Sequence, residues 1–188
     1  LEGVKAAQVI HYWGHYPVAD VEFETDAPVE VGLRAWSPFV PGDAAVSNTP
    51  AAVFEVRLRN RSEGHQTGTV VFNFNGPDTQ EARGTEFRQR RITEDFTGMH
   101  VVSSAGVGYV LGVIGGGAEA RFGAGFKGSP EGWSAVEERL PQAAFREDVE
   151  GKVYQDGSCS AGVDFQLAAG EERMVRFLLA WYVPVWQG

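Results

Sequence analysis

Residues 54–59 read Phe54-Glu55-Val56-Arg57-Leu58-Arg59, with an apolar side chain at every second position and a charged one between. Side chains of an extended strand point alternately to its two faces, so Phe54, Val56 and Leu58 share one face and three charges share the other. A helix would scatter the same six residues around its circumference. The stretch reads as a strand with one buried and one wet face, and the pattern recurs on both sides of it. Upstream, Ala19, Val21 and Phe23 alternate with Asp20, Glu22 and Glu24, and Val29, Val31, Leu33 and Ala35 form another apolar row. Downstream, Val70, Phe72 and Phe74 form a row opposite Asn73 and Asn75, and Ala161, Val163, Phe165 and Leu167 alternate with Gly162, Asp164 and Gln166.

Two windows, Val107 to Ile114 and Met174 to Val183, are apolar on both sides, which suits central strands covered on both faces or strands beneath a neighbouring domain. Turn signals separate the windows: Asn60 to Gly64, Asn75-Gly76-Pro77-Asp78, Asp156-Gly157 and Ala169-Gly170. Composition agrees, because 24 valines outnumber 8 leucines, and 12 phenylalanines and 24 glycines favour pleated surfaces and tight turns over helices. The expected fold is all-β, a two-sheet antiparallel β-sandwich with about six strands or fewer in each sheet. One exception is a short helix, read from Trp133, Val136 and Leu140 at helical spacing with Pro141 ending the run. With no repeat and no linker, residues 1–188 read as one domain.

Several function classes are excluded or weakened. The net charge of −9 speaks against a nucleic-acid binder, and the basic cluster Arg83, Arg88, Arg90 and Arg91 reads as solvated strand-edge charge. No stretch reaches the ~20 apolar residues of a membrane helix. Leu1, Glu2 and Lys5 show no signal-peptide pattern, and the compartment is left open. A single Cys159 excludes an internal disulfide and a multi-cysteine zinc site. His11 and His15 are four apart, but Gly14 and Pro17 argue against the helix that would make them joint metal ligands. Gly106, Gly108 and Gly112 open no helix and are followed by no Lys-Ser or Lys-Thr, so they do not make a phosphate cradle. Glu22 and Glu24 share a wet strand face where nothing tunes one of them as an acid. No cofactor, metal ligand or catalytic residue is read.

The aromatic residues Trp36, Trp181, Tyr182 and Trp186 are the remaining candidates. Such rings fill cores, bury at interfaces, or serve as stacking platforms for sugars.

The run Trp36-Ser37-Pro38-Phe39-Val40-Pro41-Gly42-Asp43, followed by Ser47-Asn48-Thr49-Pro50-Ala51-Ala52-Val53-Phe54, resembles the N-terminal domain of the non-lysosomal glucosylceramidase, or bile-acid β-glucosidase, family, glycoside hydrolase family 116. Matching positions are Ser37, Pro38, Pro41, Asp43, Ser47, Pro50, Phe54 and Asn60. Looser similarity extends to Gly14-His15-Tyr16-Pro17, to Leu167-Ala168-Ala169-Gly170-Glu171 and to Leu179-Ala180-Trp181, while residues 128–151 match poorly.

The resemblance implies an N-terminal β-sandwich that packs on a C-terminal (α/α)6 barrel. That barrel carries the carboxylates of a retaining β-glycosidase, so no catalytic residue transfers to this chain. On this reading the chain is a non-catalytic scaffold excised from a longer enzyme. Trp36, Phe39, Leu178, Trp181, Tyr182 and Trp186 are its candidate interface, which dimerisation would cover in the isolated chain. The alternative is an autonomous carbohydrate-binding module using Trp36, Trp181 or Trp186.

Overall fold

The computed structural model describes residues 5–115, 120–126, 153–154 and 157–184. The expected helix over 133–140 and the candidate Trp186 lie outside the described residues. Within them the chain is a two-sheet, wholly antiparallel sandwich.

The first three strands, β1 (Val9–His15), β2 (Val18–Glu24) and β3 (Val29–Trp36), form a meander, and β4 (Ala51–Asn60) continues it. Next come β5 (Gln66–Phe74), β6 (Phe87–Ile92), β7 (Thr97–Ser103), β8 (Gly108–Ile114), β9 (Ala120–Gly123), β10 (Val153–Tyr154), β11 (Cys159–Leu167) and β12 (Glu172–Tyr182). Among the described residues one sheet has nine strands in the order β1-β2-β3-β4-β12-β8-β7-β6-β10, and the other has three in the order β5-β11-β9. The expectation of about six strands or fewer per sheet therefore fails for the larger one. Alternation along a strand fixes which residues face inward, but not which strand it pairs with. Here successive hairpins keep adding to one sheet, and β12 returns to bridge β4 and β8.

The two windows that are apolar on both sides are β8 and β12, both interior strands of the nine-stranded sheet. Lateral pairing does not cover a face, however: Met174, Arg176 and Tyr182 on the outer row of β12 are exposed, so that strand is not covered on both faces as expected. The core lies between the sheets. Val56 and Leu58 of β4, Val175 and Phe177 of β12, and Leu111 and Val113 of β8 face Ala161, Val163, Phe165 and Leu167 of β11. Phe54, Val70, Phe72 and Phe74 pack against this cluster, as their alternation requires. Phe72 links the layers, with ring centroids 4.7 Å from Phe54 and 5.5 Å from the fully buried Phe177. Burying a phenylalanine of this kind is worth about 1.5–3 kcal/mol.

Asn60 is one of five buried polar side chains among the described residues, at 1% exposure. Its amide nitrogen donates to the carbonyls of Gly64 at 2.7 Å, Ala168 at 3.0 Å and Leu167 at 3.2 Å. Its Oδ1 accepts from the Ser62 backbone N–H at 2.9 Å and hydroxyl at 2.8 Å. One side chain thus ties the turn after β4 to the turn between β11 and β12, two neighbouring crossings from one sheet to the other.

Candidate functional site

At one end of the large sheet the chain builds a rigid loop between β3 and β4. Val40-Pro41-Gly42-Asp43 closes as a turn with the Asp43 N–H donating to the Val40 carbonyl at 3.0 Å. Pro41 supplies a fixed φ at the second position and Gly42 the positive φ, +84°, at the third, the pattern of a type II turn. Asp43 then caps the single helical turn α1 (Ala44–Ser47), its Oδ1 accepting from the Val46 N–H at 3.0 Å. The Ser47 hydroxyl reaches back to Val40, accepting from its N–H and donating to its carbonyl, both at 3.0 Å. Pro41, Asp43 and Ser47, all singled out in the sequence, therefore hold the loop's own shape.

Two further bonds fasten this loop to its neighbours. The Ser37 N–H donates to the Pro17 carbonyl at 3.4 Å, joining it to the turn between β1 and β2. The Pro50 carbonyl accepts from the Trp181 N–H at 2.9 Å, joining it to the end of β12. Tyr16, in the β1–β2 turn, packs edge-on to Phe39 with ring centroids 5.0 Å apart. Pro38 lies in the same loop, half-buried like Ser37, while Phe39 and Val40 stand exposed.

Of the thirteen large apolar side chains exposed among the described residues, seven fall at this end: Tyr16, Phe39, Val40, Val46, Trp181, Tyr182 and Val183. Trp36 and Leu178 are half-buried, sharing one row of the outer sheet face through Val53. Trp181 belongs to the opposite row of β12, in register with Tyr109, whereas Tyr182 faces outward at 64% exposure. Trp36 and Trp181 consequently point to opposite faces and make no common platform. Beside Trp181, between the mouths of the two sheets, lies an open groove of 590 Å³ that Phe74, Gln80, Arg83 and Tyr109 help to line. Tyr16, Val40, Val46 and Val183 were not among the interface candidates read from the sequence. Tyr16 is seven positions from Trp13's strand start and over twenty from Phe39, and only the pairing of β1, β2 and β3 unites them.

The remaining candidates are engaged in structure. Among the described residues no group of three His, Cys, Asp or Glu side chains is placed to hold a metal ion. His11 pairs with Glu24 at 2.5 Å, and Glu22 with Arg57 at 3.4 Å. Gly106, Gly108 and Gly112 belong to the β7–β8 hairpin, where Gly112 lies under the Phe96 ring. Arg88 and Arg90 share the outer face of β6, opposite Val102 and His100. Cys159 is fully buried, and burial pushes its thiol up to about 12.

Residues 3–187 match the family model described as beta-glucosidase 2, glycosyl-hydrolase family 116 N-terminal. The chain belongs to that family. The glycosyl-hydrolase family 116 N-terminal domain thus covers both the rigid 37–50 loop and the end of β12. A search of curated proteins finds no match. Among solved structures, one similar fold is a Klebsiella pneumoniae protein assigned as an aldose 1-epimerase, with TM-score 0.41 and 10% identity. The alignment covers 92% of this family 116 domain and 53% of that structure, so the chain spans about half of its length.

Proposed function

We propose that this chain is a non-catalytic β-sandwich that scaffolds the catalytic (α/α)6 barrel of a β-glucosidase-like glycoside hydrolase. The observation that carries the reading is the clustering of seven exposed apolar side chains around a loop whose shape is already fixed by Asp43 and Ser47. An apolar surface of this kind is unfavourable in water, by about 25 cal/mol per Å² relative to burial, and marks a contact with another protein surface. A loop braced by its own hydrogen bonds loses little entropy on docking, which favours a stable interdomain contact. The interface is built from Phe39, Trp181 and Tyr182, flanked by Trp36 and Leu178.

The test is reassembly. The chain is mixed with the separately expressed remainder of its parent polypeptide, and association is read by sedimentation. The variant Phe39→Ser/Trp181→Ala/Tyr182→Ser should associate at least about tenfold more weakly, the loss of roughly 1.4 kcal/mol or more. Undiminished association would refute the assignment of this end as the interface. Release of nitrophenol from aryl β-glucosides by the chain alone, abolished by one Asp or Glu substitution, would refute its non-catalytic role.

A further inference from the structure

A second surface, distinct from the sheet end, lies on the outer face of β1–β4 and β12. There the sheet carries an open groove of 510 Å³ across the strands. Its floor is Gly32, the one position in its row without a side chain: the register places Glu22 on one side of it and Arg57 on the other. The adjacent row runs Trp13, Asp20, Arg34, Glu55 across β1 to β4. Trp13 stands 52% exposed at the edge of the groove. Its ring is stacked on His11, centroids 5.8 Å apart at 20°, and His11 is itself held by Glu24 at 2.5 Å. The tryptophan is therefore braced before any ligand arrives.

The charges in the groove are paired. Arg34 makes a two-pronged contact with Asp20, at 2.8 and 3.2 Å, and Arg57 reaches Glu22 at 3.4 Å. These two cations and two anions balance, and the third anion lining the groove, Glu55, is held by Arg176 of β12 at 2.7 Å, so the wall carries no net charge. All four side chains nonetheless keep unused donors or acceptors facing water, since a guanidinium has five N–H donors and a carboxylate about four acceptor sites. An apolar ring at the edge of a floor dense in paired donors and acceptors, without net charge, suits a ligand with apolar C–H faces and many hydroxyls.

We infer that this groove binds a neutral oligosaccharide, with Trp13 as the stacking ring and the Asp20–Arg34 and Glu22–Arg57 pairs as hydroxyl partners. The site is independent of the proposed interface, because Trp13, Gly32 and Arg57 contribute nothing to the sheet end. It would hold a glycan beside the enzyme rather than act on it.

The probe is cellotetraose, titrated into the 188-residue chain by calorimetry and by nitrogen–proton NMR. Binding in the millimolar range is expected, with shifts at the Trp13 indole N–H. Trp13→Ala should weaken it about tenfold. Gly32→Val raises the floor: a Cβ at Gly32 lies at ordinary contact distance from the Arg57 guanidinium, 3.6 and 3.7 Å, and from the Val21 carbonyl oxygen, 3.9 Å, so the strand accepts it while the groove fills. That variant should lose binding with an unchanged melting temperature, and Trp181→Ala should bind as the unaltered chain does. Absence of binding at millimolar cellotetraose, binding that survives both Trp13→Ala and Gly32→Val, binding lost in Trp181→Ala, or preference for an anionic oligogalacturonide would each overturn the proposal.

Discussion

The backbone N–H of Trp181 donates to the carbonyl of Pro50 at 2.9 Å, so the last turn of the β3–β4 loop is fastened to the end of β12 across 131 positions of sequence. This bond extends the β4–β12 ladder beyond Ala51 and Ala180 and sets the Phe39 loop beside the aromatic end of β12. The exposed apolar end of the sheet is thus a property of two strands brought together, not of either segment alone.

That end should drive self-association when nothing covers it. Sedimentation of the isolated chain is expected to show a dimer or larger species whose population grows with salt, because salt screens the repulsion between chains of net charge −9 and leaves apolar attraction intact. The triple variant at Phe39, Trp181 and Tyr182 should sediment as a monomer under the same conditions.

Asn60 should be among the most sensitive polar positions. Asn60→Leu removes the donor shared by Gly64, Leu167 and Ala168; the Gly64 carbonyl keeps the Ser62 hydroxyl at 3.1 Å, whereas the buried Leu167 and half-buried Ala168 carbonyls lose the amide that ties them to β4. A loss of about 1–3 kcal/mol for such a group is expected in urea unfolding. Equal stability of Asn60→Leu and the unaltered chain would show that the two turns hold each other by other means.

The two rows of β12 should respond differently to truncation. Phe177→Ala, at a fully buried site between Phe72 and the sheet, is expected to cost about 3–5 kcal/mol. Met174→Ala, on the outer face at 43% exposure, should stay within about 0.5 kcal/mol. Paired chemical denaturation curves check the register directly.

Cys159 provides a reporter of unfolding. The thiolate is the reactive form, and a thiol pushed up to about 12 by burial presents almost none of it near neutral pH. Iodoacetamide should therefore leave the folded chain unmodified and label it only in denaturant. Rapid labelling under native conditions would place Cys159 at the surface.

Stability should fall as pH drops below neutrality, with His100 as the first contributor. Burial, and next to it Arg90, lowers the His100 pKa from its ordinary 6.5, so the unfolded chain binds a proton before the folded one does. The unfolded state then holds more protons, and stability present above about pH 6.5 is lost as pH falls toward the folded value. Asp20 and Glu30 act in the same direction at lower pH. Hydrogen bonds from Arg34 and Arg61 hold their carboxyls below 3.8 and 4.5, and that contribution disappears as pH falls through the folded values. Urea midpoints at about pH 7.5 and 5.5 should differ, and His100→Gln should shrink the difference.

The sequence by itself determined the strands and their faces. Phe54, Val56 and Leu58 could point inward only together, because the strand period is two and charges alternate with them. It also carried the family, since the motif residues from Ser37 to Asn60 lie in one continuous block whose turn and cap chemistry is local. Pro41, Gly42, Asp43 and Ser47 make their contacts within eight positions of each other, which is why their type and spacing were readable.

Partner choice was decided only by the tertiary structure. β1 was not read as a strand, since Ile10, Tyr12 and Gly14 alternate with His11, Trp13 and His15 without a polar face. Nothing in β12 announces that it will lie between β4 and β8, and nothing in Tyr16 announces Phe39. The groove over Gly32 likewise needs five strands in register before Trp13, Asp20 and Arg57 become neighbours. Local sequence governs which side of a strand is apolar, because that depends on pleat geometry within a few residues. Which strands lie side by side depends on loop closure and on the area each arrangement buries, quantities that belong to the whole chain.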